Sequence, residues 1–319
     1  MGKVTKSMLR EELRPFYDIG RLGSAMATKI WGIHIFNVLH FFLRAKGIKN
    51  AESRQFYINR RSNSDRSLRV RAFRPKNRKE KLPALLYAHG GGYMMGIPEQ
   101  AIPFYQELLN QKDLAVFAPD YRKSINHPYP AGFDDCYDTL LWMKENADEL
   151  NIHADKFIIA GHSAGGGIAA AISMKARDTG DINIAFQMPI YPMIDHRQNT
   201  KSAQIIGSPV CDAINNRFGW YHYLKDLNSS DVPVYASPSL CRDYGSLPPT
   251  ISMVGDLDPF HDETKHFIDA LREAKVPVKF KVFKRAFHAF DIVAPNSQIS
   301  KEAIKYQNSS FSEFFERYI

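Results

Sequence analysis

A buried-looking run at 157–160, Phe-Ile-Ile-Ala, stops at Gly161-His162-Ser163-Ala164-Gly165 and passes through Gly166 and Gly167 into a stretch of small residues. This is G-x-S-x-G set between a strand and a helix, the context in which a serine hydroxyl is held exposed on a sharp, strained turn. The flanking glycines let neighbouring chain pack tightly around that turn. A Walker-type phosphate loop would need lysine after its second glycine, but Gly166 is followed by Gly167.

The rest of the chain has a rhythm that suits such a turn. From Ser67 onward, apolar runs alternate with helical patterns, which predicts βαβ units and an α/β fold with a mostly parallel sheet. Strands are expected at 83–89, 114–120, 156–162, 184–191, 249–256 and 278–283, and helices at 132–150, 164–178, 262–275 and 299–318. The runs at 54–60 and 68–73, with no helix between them, are expected to be antiparallel edge strands. Two regions break the rhythm: the first fifty residues are helical in pattern, and 196–246 is a long insertion carrying Trp220, Tyr221, Tyr223 and Tyr235. With 319 residues and no compositional break, one elaborated domain is expected.

The net charge of +8 raises the question of nucleic acid, and 69–81 is the densest basic stretch. Pro75 and Asn77 place those charges at a turn, expected as a solvated hairpin, and no aromatic interleaving accompanies them, so nucleic acid is set aside as a partner. Cys136, Cys211 and Cys241 are odd in number and lack metal-type spacing, which argues against disulfides and zinc and for a reducing, cytoplasmic compartment. The amino terminus has charges of both signs and no secretory pattern. The apolar stretch from Ile30 to Leu43 is broken by His34, Asn37 and His40 and is too short to span a bilayer; it is expected as a helix lying on other protein, without stable membrane insertion.

A serine hydroxyl attacks only when a base takes its proton, and the base needs an acid to hold its tautomer. After an elbow of this kind the order is serine, acid, histidine. The strand ending at 256 leads into Asp258, and the strand ending at 283 leads into His288, both at strand ends where ligands gather in open α/β sheets. Asp256, Asp262 and Glu263 compete for the acid role, but Asp262 and Glu263 read better as first-turn residues of the next helix. His261 and His266 lie on or beside that helix. The attacked carbonyl oxygen becomes an oxyanion that must meet preorganised NH donors. Ala164 supplies one, and the glycines of LLYAHGGGYMMG (85–96) let Gly90 and Gly91 supply others.

HGGGY (89–93), GHSAGG (161–166), the DPFHDE loop (258–263) and His288 resemble the hormone-sensitive-lipase-like branch of the α/β hydrolases, and 121–138 is similar to that family's stretch between its glycine motifs. The resemblance spans nearly the whole chain. It implies an α/β-hydrolase core at 51–195 and 247–319 under a helical cap built from 1–50 and 196–246, and carboxylester hydrolysis without a cofactor. Three positions depart from the family: His162 stands where Asp is common, Ser124-Ile125-Asn126 replaces Leu-Ala-Pro-Glu, and Ala289 rather than Gly follows His288. They leave the ester unassigned.

The expected activity is a serine carboxylesterase for small esters, with Tyr93, His162 and Trp220 in the substrate pocket. Trp31, Ile35, Val38, Leu39 and Phe42 are expected to help roof it and restrict it to short acyl groups. An amidase or formamidase using the same triad, and a small-molecule receptor on a hydrolase scaffold, remain the alternatives. A homodimer is left open.

Overall fold

The computed structural model describes residues 2–44, 46–61, 67–228 and 230–319. Among these, eight strands form one sheet: β1 (Ala51–Ile58), β2 (Leu68–Pro75), β3 (Leu82–Ala88), β4 (Ala115–Pro119), β5 (Ile152–His162), β6 (Ile184–Ile190), β7 (Thr250–Gly255) and β8 (Val278–Phe283). Their order is β1-β2-β4-β3-β5-β6-β7-β8. β2 runs antiparallel to both of its neighbours, and every other neighbouring pair is parallel. The central strands read as continuous apolar runs because helices cover both faces. In β3 and β5 successive residues feed opposite cores: Leu86 and Ile159 join one cluster, Leu85 and Ile158 the other.

The helices are α1 (Tyr17–Met26), α2 (Ile30–Phe41), α3 (Ile102–Gln111), α4 (Ala131–Glu145), α5 (Ala164–Thr179), α6 (Ala213–Leu224), α7 (His261–Glu273), α8 (Phe290–Val293) and α9 (Gln298–Tyr318). Residues of α4 and α5 pack in the first core, and residues of α3 and α9 in the second. Because β3, β5, β7 and β8 point the same way, the segments that leave them emerge at one end of the sheet. β3 and β5 are adjacent, which sets the glycine loop beside the serine turn.

The amino-terminal segment and the 196–246 insertion meet over that end. Val4 N donates to Ile206 O at 2.9 Å, Ile206 N to Gly2 O at 3.1 Å, and Val210 N to Gly20 O at 3.0 Å. The Arg285 guanidinium, in the turn after β8, donates to the carbonyls of Ser7, Met8 and Leu9.

Three expectations need correction. β2 is not an edge strand, since it pairs with β1 on one side and β4 on the other. Arg69 and Arg71 are therefore not solvated: they are 8% and 5% exposed. Buried cations persist only when paired. Arg69 makes a bidentate contact to Glu99 at 2.7 and 3.0 Å and reaches Asp120, while Arg71 lies 3.3 Å from Glu99. Finally, α2 forms and lies on α1 as expected, but Trp31, Ile35, Val38, Leu39 and Phe42 do not roof the pocket: they face outward, and α2 lines the cavity with Phe36 and His40 instead. Gly32 and Ile33 are its buried residues, and Trp31, Val38, Leu39 and Phe41 face outward. Gly32 fixes the side that is covered: a Cβ there would lie 2.1 Å from Met26 O, so α2 sits hard against the end of α1.

Candidate active site

Ser163 joins β5 to α5 at φ 57°, ψ −122°, a strained conformation for a residue with a side chain. Its surroundings over-determine it. Ser163 N donates to Ile190 O at 3.0 Å, and Ser163 O accepts from Gly167 N and Met193 N, each at 3.0 Å. Gly165 is required for close approach, because a Cβ there would stand 2.0 Å from Ala88 O of the adjacent strand.

His288 follows β8 between fully buried Phe287 and Ala289, which has φ 56°. Its Nε2 lies 2.8 Å from Ser163 Oγ and its Nδ1 2.7 Å from Asp258 Oδ2. Asp258 is 0% exposed, and its other oxygen accepts from Phe260 N at 2.8 Å. An ionised carboxylate only accepts, so Nδ1 carries the imidazole proton and Nε2 presents its lone pair to the serine. The rings of Tyr191 and Phe260 meet the imidazole edge-on at 4.9 Å each and fix its plane.

The competing groups are engaged elsewhere. Asp256 accepts from Arg285 N at 2.5 Å. Asp262 accepts from Ser202 N at 2.9 Å and contacts His261. Glu263 is buried, accepts from Ile194 N at 2.9 Å, and is pushed well above the usual carboxylate range by burial. His266 is exposed on α7.

The glycine loop is braced from behind. His89 stacks on Tyr121 with ring centres 4.1 Å apart, its Nδ1 lies 2.8 Å from Gly90 O, and Tyr121 Oη donates to His89 O at 2.8 Å. Gly91 has φ 125°, and a Cβ there would meet Met95 O at 2.1 Å. The loop carbonyls are occupied: Gly90 O accepts from Gln100 Nε2 at 3.1 Å, and Gly91 O from Met94 N and Met95 N at 3.0 and 3.1 Å. Among the described residues no hydrogen bond uses the NH groups of Gly90, Gly91 or Ala164. A Cβ on Gly90 would lie 3.5 Å from Ser163 Cβ, so the glycine loop runs directly beside the serine.

A cavity of about 920 Å³ opens over Ser163 and His288 and runs between α2, α3 and α9. Phe36 and Phe104 give it apolar walls; Tyr87, His162, Tyr191 and Asp291 give it a polar floor. His162 Nδ1 lies 2.8 Å from Tyr87 Oη, and burial lowers its pKa to about 3, so the residue that replaces the family's Asp is a neutral imidazole. Asp291 accepts from Tyr191 Oη at 3.1 Å and Gln307 Nε2 at 3.2 Å, and burial raises its pKa.

Of the expected pocket residues, His162 lines the cavity, whereas Tyr93 and Trp220 do not. Tyr93 is turned inward, donates to Met193 O at 2.8 Å and stacks on Tyr223 at 3.8 Å, with Trp220 packed beside it. They buttress the glycine loop from the core side. Asp291 and Gln307 join the pocket without having been expected there. A signal exists for Gln307: it stands midway between Ala303 and Phe311 on the buried stripe of α9, a polar residue in an apolar row.

The family described as having the α/β-hydrolase fold, Abhydrolase_3, matches residues 85–292, and the chain belongs to it, in the hormone-sensitive-lipase-like branch. The chain is 32% identical to the esterase LipI of Mycobacterium tuberculosis over 65% of each chain, just under two thirds of that relative's length. It is 31% identical to the carboxylesterase NlhH of the same species over 69% of this chain and 70% of the other. Among solved structures, a bacterial heroin esterase superposes with a TM-score of 0.87 at 28% identity, covering 98% of this chain and 99% of that one. The protein is a carboxylic ester hydrolase.

kcat/KM should fall toward acid pH. Protonation of His288 removes the acceptor facing Ser163, so activity falls as pH falls. Burial holds His162 near pKa 3 and His89 well below its ordinary value, so both stay neutral across that fall. A profile from about pH 4 to 8 should show this fall, and His162→Gln should leave it in place.

Proposed function

We propose that the protein cleaves short-acyl carboxylic esters through Ser163 as nucleophile, His288 as general base and then acid, and Asp258 as its orienting partner. The observation that carries this reading is the unbroken relay from Asp258 through His288 to Ser163 Oγ, at 2.7 and 2.8 Å, beside three unused NH groups. Ser163 Oγ attacks the ester carbon while Nε2 takes its proton. The oxyanion is received by the NH groups of Gly90, Gly91 and Ala164. Collapse expels the alkoxide, which leaves with the proton from Nε2, and water then enters by the same route to release the acid. Residues 1–50 and 196–246 act as the cap over this site, supported by their mutual backbone hydrogen bonds and by the Arg285 tether.

Short-acyl preference is supported by the polar floor. Asp291, Tyr191 and His162 are already bonded to Gln307, Tyr87 and one another, so they form a fixed polar boundary that a long alkyl chain gains nothing by covering. With a panel of aryl esters, kcat/KM should rise by up to ~0.8 kcal/mol per added methylene while the chain fits, then reverse by about hexanoyl. Efficient hydrolysis of long-chain triglyceride emulsions would overturn the acyl-length reading.

A further inference from the structure

The outward side of α1 and α2 is an apolar surface that nothing among the described residues covers. Trp31, Val38, Leu39, Phe41 and Phe42 are 57–75% exposed, and Ile19 and Leu22 on α1 extend the patch at 68% and 62%. Surfaces of this kind on a soluble domain mark an interaction site. The patch borders the way into the cavity: Ile19, Phe36 and His40 line the cavity from this side and Ile292, itself 56% exposed, from the other.

Charge identifies the occupant. Asp18 in the first turn of α1 is paired with Lys6 at 2.8 Å, and from residue 19 to 51 there is no Asp or Glu, while Arg21, Lys29, Arg44, Lys46 and Lys49 are all present. Arg44 is paired with Asp120 at 2.7 Å; Lys29, just before α2, and Lys46 and Lys49, in the segment after it, are exposed. A second copy seated symmetrically on this face would bring the same cations against one another, which opposes association. Anionic headgroups would instead meet them. An apolar helix with Trp31 beside Lys29 at one end, and Phe41 and Phe42 before Arg44 and Lys46 at the other, has the make-up of a helix lying in the plane of a membrane interface. Its twelve residues reach about 18 Å, too short to cross. Among the described residues no helix is long and apolar enough to span a bilayer.

We propose that the α1–α2 surface docks the enzyme reversibly on anionic lipid membranes, with the cavity entrance against the bilayer. An ester dissolved in the lipid then enters the cavity without crossing water.

The test uses the wild-type chain and vesicles of ether-linked phosphatidylglycerol or phosphatidylcholine, which offer no ester to cleave. Of the three tryptophans, Trp31 is exposed, Trp142 half-buried and Trp220 buried, so a blue shift in emission on vesicle addition reports Trp31. The protein should co-sediment with phosphatidylglycerol vesicles at least about tenfold more tightly than with phosphatidylcholine, and high salt should release it. Leu39→Asp and Phe42→Asp, both exposed and outside the cavity, should abolish co-sedimentation and leave hydrolysis of a water-soluble aryl acetate unchanged. Failure to bind phosphatidylglycerol vesicles, or binding indifferent to these substitutions, overturns the proposal. A solution dimer dissolved by Leu39→Asp would also overturn it, assigning the face to a second copy.

Discussion

Ser163→Ala is expected to fold as the parent does and to lose on the order of 10⁵- to 10⁶-fold in kcat on an aryl acetate. The substitution removes one oxygen atom whose hydrogen bond is to His288, while the backbone contacts that hold the elbow, Ser163 N to Ile190 O and Ser163 O to Gly167 N and Met193 N, stay intact. The thermal midpoint should therefore move by no more than a few degrees. KM should change little, since the cavity walls are untouched. The surviving activity should be the catalysis that the NH groups of Gly90, Gly91 and Ala164 provide to a bound ester attacked by water. An organophosphate or sulfonyl fluoride should label Ser163 alone in the wild type and nothing in the variant. A label on another serine, or more than a percent of wild-type kcat in the alanine protein, would remove Ser163 from the reaction.

The legible part of the sequence divides from the rest along a physical line. Strands β3 to β8 and helices α4, α5, α7 and α9 are legible because each is specified locally, by an apolar run or a repeat of three and four, bounded by turn residues. Gly161, Ser163 and Gly165 are legible for the same reason: the close approach that excludes a Cβ is written into five consecutive residues. Asp258 and His288 can be placed because parallel strands deliver their succeeding loops to one end of the sheet, so chain order stands in for distance.

The cavity is less legible. Its walls come from α2, α3, α8 and α9, which are far apart in sequence, and the rotation of each helix is set by packing across the sheet. Tyr93 illustrates this. It directly follows the three glycines and reads as a residue facing the substrate, yet φ 64° at that position turns its ring inward onto Tyr223. The outward face of α2 escapes a sequence reading because the polar Asn37 and His40 are turned inward, Asn37 Oδ1 accepting from Gly96 N and His40 lining the cavity, while Trp31, Val38 and Leu39 face out, the reverse of the usual amphipathic rule. Arg69 and Arg71 escape it for a complementary reason. Their partner Glu99 lies thirty residues from Arg69 and nothing local announces the pairing.

The second large effect should separate two aspartates two residues apart. Asp258→Asn is expected to cost on the order of 10⁴-fold in kcat while leaving the fold intact. The amide that replaces this carboxylate would offer NH₂ to His288 Nδ1, which draws the ring into the tautomer with its proton on Nε2. That proton would face Ser163 Oγ across the 2.8 Å gap where a lone pair is needed. Asp256→Asn should cost less than about tenfold, because Asp256 accepts from Arg285 N and an amide oxygen still accepts there. Glu263→Gln should be similarly mild, since it keeps an acceptor for Ile194 N and resembles the protonated form that burial favours. The comparison is discriminating because all three carboxylates share one loop and the first turn of α7, so general disturbance of that region would lower all three variants together. Measuring kcat/KM for the three beside their unfolding midpoints reads both quantities at once. Loss confined to Asp258→Asn, at an unchanged midpoint, identifies the group whose charge orients the imidazole. If Asp256→Asn were the crippling change, the relay to His288 would run through the other carboxylate, and the turn after β7 would have to be repacked to bring it there.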